Sequence, residues 1–327
     1  MTDVKKAYKF RHWPVFVSAG LIGVVLLVTA WGDQIQPAPS GAKSPSEGSF
    51  RFTVTGDVRQ YDALFGEVLG AVRKQFGSVG VFGVSVGDDD PPEKVRARID
   101  ARIGPGAMWY HGTGNHEAGK AACMRWLRKE YTTGQDGRPA IRAHTNQDGP
   151  AGCAETTYSW NYGNAHFVML NEYWDGSIGP GSDSQKSGDV VPALLEWLAR
   201  DLEKNTLPVV FVFGHEPAYP QGPRHTGDSL NANAKHRDAF WELLEKKGVQ
   251  AYFCGHTHYF SRYRSEGGRV WQVDVGNSGN QPKGLLVPEG LTFMNVLVTP
   301  TEVRYEVWRD SGTKTFSLAQ TWTEPVH

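Results

Sequence analysis

Five short polar clusters, each beginning with glycine, follow runs of β-forming residues along the chain. In order they are Gly56-Asp57-Val58-Arg59, Gly87-Asp88-Asp89-Asp90, Gly114-Asn115-His116-Glu117, Gly214-His215-Glu216-Pro217 and Gly255-His256-Thr257-His258. Carboxylate, amide and imidazole groups in such a mixture suit divalent ions such as Mn, Zn or Fe, and two neighbouring ions can clamp a phosphoryl group. The clusters therefore indicate a metal centre assembled from the ends of several strands.

Six side chains in these clusters are candidate metal ligands: Asp57, Asp88, Asn115, His215, His256 and His258. Two ions held close together need at least one shared carboxylate and several private ligands, and this set supplies both. A glycine at the start of each cluster lets the backbone turn sharply at a strand end. Each cluster alone is common in turns, hairpins or helix caps, but all five in order at strand ends are hard to obtain by accident.

Strands and helices that could carry the clusters follow from apolar periodicity. We predict strands over residues 50–55, 79–86, 108–111, 157–160, 166–170, 208–213, 249–254, 270–275, 291–298 and 303–308. We predict helices over residues 61–76, 191–204 and 236–247, and another that Asp90 caps and that ends near Ile103. The hairpin over 157–170 excludes a purely parallel sheet. The expected fold is therefore α/β, a layered sandwich of two mixed β-sheets flanked by helices, with the metal site at the carboxyl ends of strands.

The N-terminal residues differ in composition from the rest of the chain. Lys5, Lys6, Lys9 and Arg11 precede an apolar stretch that ends at Trp31, and a Pro/Gly/Ser-rich segment follows. We predict a signal peptide or membrane anchor over residues 1–31, a flexible linker over 32–49 and one folded domain over 50–327. The basic flank predicts that the domain is exported, either periplasmic or extracellular, or anchored to the membrane by the N-terminal segment.

Composition and cysteine content narrow the class of protein further. The chain of 327 residues is 39% hydrophobic, and 34 basic and 35 acidic residues leave a formal net charge of -1. Such a balance gives no general attraction to nucleic acid or to an anionic membrane surface. Cys123 and Cys153 could form a disulfide in an oxidising compartment, whereas Cys254 reads as a small buried residue.

The five clusters together resemble the motifs of the calcineurin-like metallophosphoesterase superfamily, which includes the purple acid phosphatases. The family pattern is Asp-x-His, Gly-Asp-x-x-Asp, Gly-Asn-His-Asp/Glu, a lone His and Gly-His-x-His, and the resemblance covers about Phe50 to Trp308. It implies that Asp88 bridges two divalent ions, that Asn115, His215 and His256 hold one of them, and that Asp57 and His258 hold the other. It also implies that His116 lies close to the leaving-group oxygen without binding metal.

The chain departs from this pattern at two positions. Arg59 replaces the histidine of Asp-x-His, and a guanidinium has no lone pair for a metal but suits a phosphate oxygen. Pro91 stands where the pattern after Asp88 has its second Asp, and Tyr61, Asp89 and Asp90 are candidates to fill the gap. The expected cofactors are thus two divalent ions (Mn, Zn or Fe), with the alternative that only one is tightly bound.

The resemblance implies hydrolysis of a phosphate mono- or diester, by attack of a metal-bound hydroxide on a small phosphorylated substrate. His116 would act as general acid, with Glu117 or a nearby carboxylate orienting it, and Arg59 would clamp the phosphoryl group. Arg224 and His225 are candidate substrate-binding residues in the loop after His215. The alternative is an exported, non-catalytic metal- or ligand-binding module whose first metal site is degraded. Of other partners, nucleic acid is not indicated, and a membrane is expected only through an uncleaved N-terminal segment.

Overall fold

A computed structural model describes residues 48–179, 181–222, 224–279 and 290–326. The predicted signal or anchor, and all of the predicted linker except residues 48 and 49, lie outside this part of the chain. None of the helices in the described ranges is long and apolar enough to cross a membrane.

The regular elements alternate between strands and helices through most of the chain. The helices are α1 Asp62–Phe76, α2 Pro92–Arg102, α3 Asn115–Ala118, α4 Ala121–Thr132, α5 Pro192–Lys204 and α6 Ala234–Lys246. The strands are β1 Phe50–Thr55, β2 Gly83–Ser85, β3 Trp109–His111, β4 Gln147–Asp148, β5 Tyr158–Tyr162, β6 Ala165–Met169, β7 Val209–Phe213, β8 Ala251–Cys254, β9 Phe260–Tyr263, β10 Trp271–Val275, β11 Thr292–Val298, β12 Glu302–Asp310 and β13 Phe316–Pro325. Short 3-10 turns lie at Ile141–His144 and Leu230–Asn233.

These strands form two mixed sheets. The six-stranded sheet has the order β13-β12-β11-β1-β2-β3, in which β1, β2 and β3 are parallel to one another. The seven-stranded sheet has the order β4-β5-β6-β7-β8-β10-β9, in which β6, β7, β8 and β10 are parallel. The hairpin of β5 and β6 is antiparallel, as are β11 to β13. Two mixed sheets flanked by helices confirm the predicted fold class.

The two sheets are held together by an aromatic core. Phe52 of β1 makes edge-to-face contacts with Phe167 and Phe211 of the opposite sheet, at ring-centroid distances of 5.4 and 5.3 Å. Trp160 stacks on Tyr110 at 3.9 Å and also lies between the sheets. Buried aromatic rings of this size supply much of the apolar area removed from water, and edge-to-face pairs add to it. The core fixes how the carboxyl ends of the two sets of parallel strands meet.

Helices cover the outer face of each sheet. Leu194, Leu198 and Phe240 of α5 and α6 pack against the outer face of the seven-stranded sheet. Phe65, Val68 and Ile99 of α1 and α2 do the same for the six-stranded sheet. The helical spacing of these apolar residues is the signal from which α1, α5 and α6 were predicted.

Two local expectations are corrected by the structure. Asp90 does not cap α2, because the capping position is Pro91, which makes no side-chain capping bond, and Asp90 instead pairs with Lys120. The Cys123–Cys153 disulfide is not formed: both cysteines, like Cys254, are free and buried. Burial raises the pKa of the Cys123 and Cys153 thiols to about 12, so both remain neutral near pH 7.

Candidate metal centre

The polar clusters lie at the carboxyl ends of the parallel strands in both sheets. Asp57 and Asp88 follow β1 and β2, and Asn115 opens α3 directly after β3. His215 follows β7, while His256 and His258 follow β8. Parallel strands bring their carboxyl ends to one rim of a sheet, so segments far apart in sequence meet there.

Backbone strain is concentrated at this rim. Eight non-glycine residues in the described part of the chain have positive φ, and six of them lie here. The six are Asp57, Arg59, Asp88, His225, His256 and His258. Residues other than glycine rarely adopt this backbone conformation, which typically costs about 1–3 kcal/mol per residue. The surrounding structure therefore holds these side chains in positions that local backbone preference alone would not select.

Close backbone packing brings the carboxylates to the rim. A Cβ added to Gly114 would lie 2.2 Å from Asp88 Oδ1, and one added to Gly255 would lie 2.3 Å from Asp57 Oδ2. The His256 N–H donates to Asp57 Oδ2 at 2.9 Å, and the His116 N–H donates to Asp88 Oδ1 at 3.0 Å. Each carboxylate is thus held by a main-chain donor of another cluster.

The side chains form a compact group. Asp57, Asp88 and His215 each place a ligand-type atom within 4.8 Å of the other two. His215 Nε2 lies 3.6 Å from Asp88 Oδ1, and His258 Nε2 lies 3.5 Å from Asp57 Oδ1. The His215 and His256 rings approach edge to face at 5.2 Å. Five of the six candidate ligands therefore surround the same small space.

Several candidate ligands have unsatisfied polar atoms that fit a cation. Asp57 Oδ1, Asn115 Oδ1 and His215 Nε2 are buried and have no hydrogen-bond partner among the described residues. His215 Nδ1 donates to the Val86 carbonyl at 2.9 Å, which leaves Nε2 with its lone pair. Buried polar atoms without partners are costly, and a carboxylate, an amide oxygen and an imidazole are suitable donors to a divalent ion. The residues present therefore fit the ions that the sequence predicts.

The three imidazoles are neutral, as metal ligands must be. Burial lowers the pKa of His215 to about 3 and the pKa of His256 and of His258 to about 2. Arg224 and His225 contribute further to lowering the pKa of His258. These rings consequently offer lone pairs across the whole range near neutral pH.

The two carboxyl groups show the opposite shift. Burial raises the pKa of Asp88 to about 6, and burial together with the neighbouring charge of Asp88 raises the pKa of Asp57 well above its usual value. Two buried carboxylates side by side disfavour ionisation, and a bound cation reverses that preference. The arrangement is therefore one in which a cation is needed to keep both groups charged.

His116 lies at the edge of the cluster and touches two carboxylates. Its Nε2 is 3.8 Å from Asp88 Oδ2 and its Nδ1 is 3.8 Å from Asp90 Oδ2. Burial lowers the pKa of His116, and the charge of Asp88 opposes that effect. Glu117 does not face this ring; its Oε2 accepts the N–H groups of Asp88 and Gly114 at 2.9 and 2.8 Å. The carboxylates near His116 are therefore those of Asp88 and Asp90, and Glu117 connects the two loops.

Arg59 and the loop after His215 place positive and polar groups around the cluster. The Arg59 N–H donates to the Asp88 carbonyl at 2.7 Å, and the Arg59 charge acts on Asp88, His116 and His258. His225 packs against His256 and His258, with ring-centroid distances of 4.2 and 5.6 Å. The three predicted substrate-binding residues thus lie beside the candidate ligands, since Arg59 and Arg224 also act electrostatically on His258.

Of the residues expected to fill the gap left by Pro91, Asp89 and Asp90 have other partners. Asp89 Oδ2 receives the His111 Nδ1–H at 2.8 Å, and both side chains are buried. Asp90 pairs with Lys120, and Tyr61 stands at the start of α1.

Several residues that support the site were not predicted from the sequence. Glu172 Oε2 accepts the N–H groups of His215 and Glu216, each at 2.8 Å, and so fixes the turn after β7. Asp228 contacts both His225 and His256. No motif marks either residue: Glu172 acts on a segment distant in sequence, and Asp228 acts on His225 within one loop and on His256 through its main chain.

Comparison with known proteins supplies the family. Residues 50–260 match the family model of the calcineurin-like phosphoesterases. The protein named probable purple acid phosphatase 20 of Arabidopsis thaliana is 29% identical over 136 residues, which are 38% of this chain and 28% of that protein. An acid phosphatase of Aspergillus ficuum is 30% identical over 137 residues, which are 32% of this chain and 21% of that protein. The chain thus spans about a quarter of the length of these relatives.

Two solved structures share the fold at low sequence identity. PhoD aligns with a TM-score of 0.59 at 12% identity, covering 89% of this chain and 71% of its own. GAP50, the anchor in the inner membrane complex of Plasmodium, aligns with a TM-score of 0.60 at 12% identity, covering 85% of this chain and 89% of its own. Sequence motifs, fold and family match agree. The chain belongs to the calcineurin-like phosphoesterase family.

Proposed function

We propose that this chain is a metal-dependent phosphoesterase that hydrolyses a phosphate mono- or diester. The observation that carries the proposal is the grouping of Asp57, Asp88 and His215, whose ligand-type atoms lie within 4.8 Å of one another. They come from three separate strand ends, and Asp57 Oδ1 and His215 Nε2 are buried without a hydrogen-bond partner in the described part of the chain. Family membership supplies the reaction class.

The proposed ligand assignment follows the grouping of side chains around this space. Asn115, His215 and His256 would hold one ion, Asp57 and His258 the other, and Asp88 would serve both. The distances from His215 to Asp88 and from His258 to Asp57 support this division. A bound divalent ion supplies activation of water near neutral pH and neutralisation of charge on phosphoryl oxygens.

The remaining residues would bind and orient the phosphoryl group. Arg59 carries a permanent charge, and its planar guanidinium suits two phosphate oxygens at once. Arg224 and His225 lie beside His258 and His256, where His225 would contact a phosphate oxygen and Arg224 the rest of the substrate. His116 would steady or protonate the leaving oxygen, and Asp90 lies close enough to orient its ring.

The second candidate is a non-catalytic metal- or ligand-binding module. The observation that favours it is Arg59, which stands where a metal-binding imidazole is expected and cannot ligate an ion. Such a module would bind metal without turnover. The six candidate ligands and His116 are retained, which favours the enzyme.

The N-terminal segment is proposed to export the domain or to anchor it. Its support is the basic flank and apolar stretch within residues 1–31, followed by the predicted linker to residue 49 and the domain from residue 50. Fractionation of cells that produce the full chain, with N-terminal sequencing of the recovered protein, distinguishes the cases. A start near residue 32 indicates cleavage, whereas an intact N-terminus in the membrane fraction indicates an anchor.

The experiment that tests the activity is hydrolysis of aryl phosphate mono- and diesters by the full chain. Turnover is measured after chelation and again after Mn or Zn is restored. The proposal expects loss on chelation and recovery with metal, and the ratio of the two rates assigns the ester class. Folded protein that stays inactive with every metal would contradict the proposal and favour the binding module.

A further inference from the structure

Asp228, in the loop between β7 and α6, contacts two histidines of the candidate site through different parts of the residue. Its side-chain Oδ2 lies 2.8 Å from His225 Nδ1. Its main-chain oxygen lies 3.2 Å from His256 Nε2. Because a carboxylate and a carbonyl oxygen only accept, the hydrogens in these contacts lie on His225 Nδ1 and His256 Nε2.

Each contact selects which nitrogen of the histidine remains free. With Nε2 of His256 donating to the Asp228 carbonyl, Nδ1 is the nitrogen left to bind a cation. With Nδ1 of His225 donating to the Asp228 carboxylate, Nε2 points away from Asp228. Partners that hold one ring nitrogen in this way fix both the tautomer and the orientation of the ring. Asp228 therefore sets the geometry of a candidate metal ligand and of a candidate substrate contact together.

The loop that carries Asp228 is anchored in the protein core. The next residue, Ser229, is fully buried and donates from Oγ to the His225 carbonyl at 2.6 Å. Leu230 is also buried and belongs to the apolar cluster under α5 and α6. These contacts hold His225 at a φ of 55°, a conformation that it would not favour alone. Buried neighbours thus fix the backbone of this loop, while the Asp228 carboxylate itself is 55% exposed.

We propose that Asp228 is a positioning residue that fixes His225 for binding a phosphate oxygen while its main chain fixes the metal-ligand candidate His256. The proposal rests on the proposed function and deepens it. It separates two roles within one residue, since any side chain at position 228 keeps the carbonyl that holds His256. Only the carboxylate is specific to His225.

The test compares Asp228→Ala with Asp228→Asn in the metal-loaded full chain. Ala removes the acceptor, and we expect KM for an aryl phosphate and Kd for inorganic phosphate to rise about tenfold, as for loss of one charge-assisted hydrogen bond. Asn keeps an acceptor oxygen at the same position and should restore most of the affinity. Metal content, measured by elemental analysis, should be the same in all three proteins, because the main-chain contact to His256 is retained.

A double-mutant comparison links the effect to His225. His225→Ala should weaken phosphate binding about as much as Asp228→Ala does, and the double variant should bind no more weakly than His225→Ala alone. The matched control is Asp189→Asn, which alters a similar contact: Asp189 Oδ2 lies 2.8 Å from His236 Nδ1, and the His236 and His225 side chains are each 25% exposed. This control should bind phosphate like the wild type.

Three outcomes would overturn the proposal. One is that Asp228→Ala loses metal or thermal stability in proportion to its loss of phosphate affinity, which would show that Asp228 only stabilises the fold. Another is a double variant whose loss in the free energy of phosphate binding equals the sum of the losses in the two single variants. The third is a metal-loaded wild-type chain that does not bind inorganic phosphate. Phosphate binding measured by calorimetry does not require turnover. A chain that binds phosphate through His225, with Asp228 positioning it, but does not hydrolyse esters would therefore contradict the proposed function and still support the positioning role.

Discussion

Asn115 and His116 are neighbours in sequence but have different surroundings. Asn115 Oδ1 is buried and lacks a partner among the described residues, as expected of a metal donor. The His116 side chain is 28% exposed and faces the carboxylates of Asp88 and Asp90. The pair therefore offers a test in which one residue would hold metal and the other would act on the substrate.

We expect Asn115→Ala and His116→Ala both to reduce turnover, by about 100-fold or more, which is the range for loss of a general acid. Only Asn115→Ala should lower the metal content of the protein. Turnover and elemental analysis of the same samples check both expectations. Equal loss of metal in the two variants would contradict the role assigned to His116.

The residue types of the site were predictable from sequence because the motif clusters follow strand ends. The structure brings five of the six predicted ligands together by short contacts, and Asn115 Oδ1 is buried without a partner among the described residues. The roles of Glu117, Glu172 and Asp228 were not predictable in the same way. Glu117 and Glu172 accept main-chain N–H groups, and Asp228 contacts His256 through its own carbonyl, and such contacts depend on how distant segments pack. The Asp228 carboxylate contacts His225 within one loop, but no sequence pattern marks that pair.

At the level of elements, the turn between β3 and α3 packs closely on the turn after β2. Gly114 has a φ of -100°, which alanine adopts readily, so a substitution there is limited by space alone. The added Cβ would lie 2.2 Å from Asp88 Oδ1 and 2.4 Å from the Asp88 nitrogen. Asp88 would have to move from its position at the centre of the cluster.

We therefore expect Gly114→Ala to weaken metal binding by about 10- to 100-fold, the effect typical of substitutions at residues that contact a metal ligand. Turnover should fall with it. Metal affinity measured by calorimetry checks the expectation, and Gly106→Ala is the control because an added Cβ there meets no described atom within 4 Å. Unchanged affinity in Gly114→Ala would show that Asp88 is not a ligand in this position.

Most elements followed from apolar periodicity, and the failures have physical causes. Strand β2 is shorter than the predicted 79–86, because Gly80 has a φ of 84° and Val79 packs with the helices on the outer face. Helix α4 was missed although Cys123, Met124, Leu127 and Tyr131 form a buried face at helical spacing, because charged and polar residues outnumber them in this part of the sequence. Strand β13 was missed because it is an edge strand with most of its side chains at least partly exposed, so little hydrophobic signal marks it.

For the whole molecule, buried carboxyl groups link stability to pH in the metal-free state. Burial raises the pKa of Glu172 to about 7 and of Glu216 to about 8, from 4.5 for an unburied glutamate. The folded chain therefore binds these protons more tightly than the unfolded chain does. His215, His256 and His258 have lowered pKa values and affect stability mainly below about pH 6.5, where the unfolded chain takes up protons.

Between pH 7 and pH 8 we accordingly expect the metal-free protein to lose stability as pH rises. The slope comes from carboxyl groups that are protonated when folded and ionised when unfolded. Denaturant unfolding at several pH values measures it, and Glu216→Gln should reduce it because one titrating group is removed. Stability that rises over this interval, or a slope that Glu216→Gln leaves intact, would contradict the burial argument.

The measurement that tests the central claim most directly is a metal titration that follows occupancy and turnover together. Chelated full-length protein is equilibrated with increasing Mn or Zn, and each sample is assayed for ions bound per chain and for hydrolysis of an aryl phosphate. We predict that turnover rises in proportion to occupancy and that Asp88→Ala, which removes the proposed shared ligand, loses both. Ions that bind fully to folded wild-type protein without any turnover would contradict the account and identify the chain as a binding module.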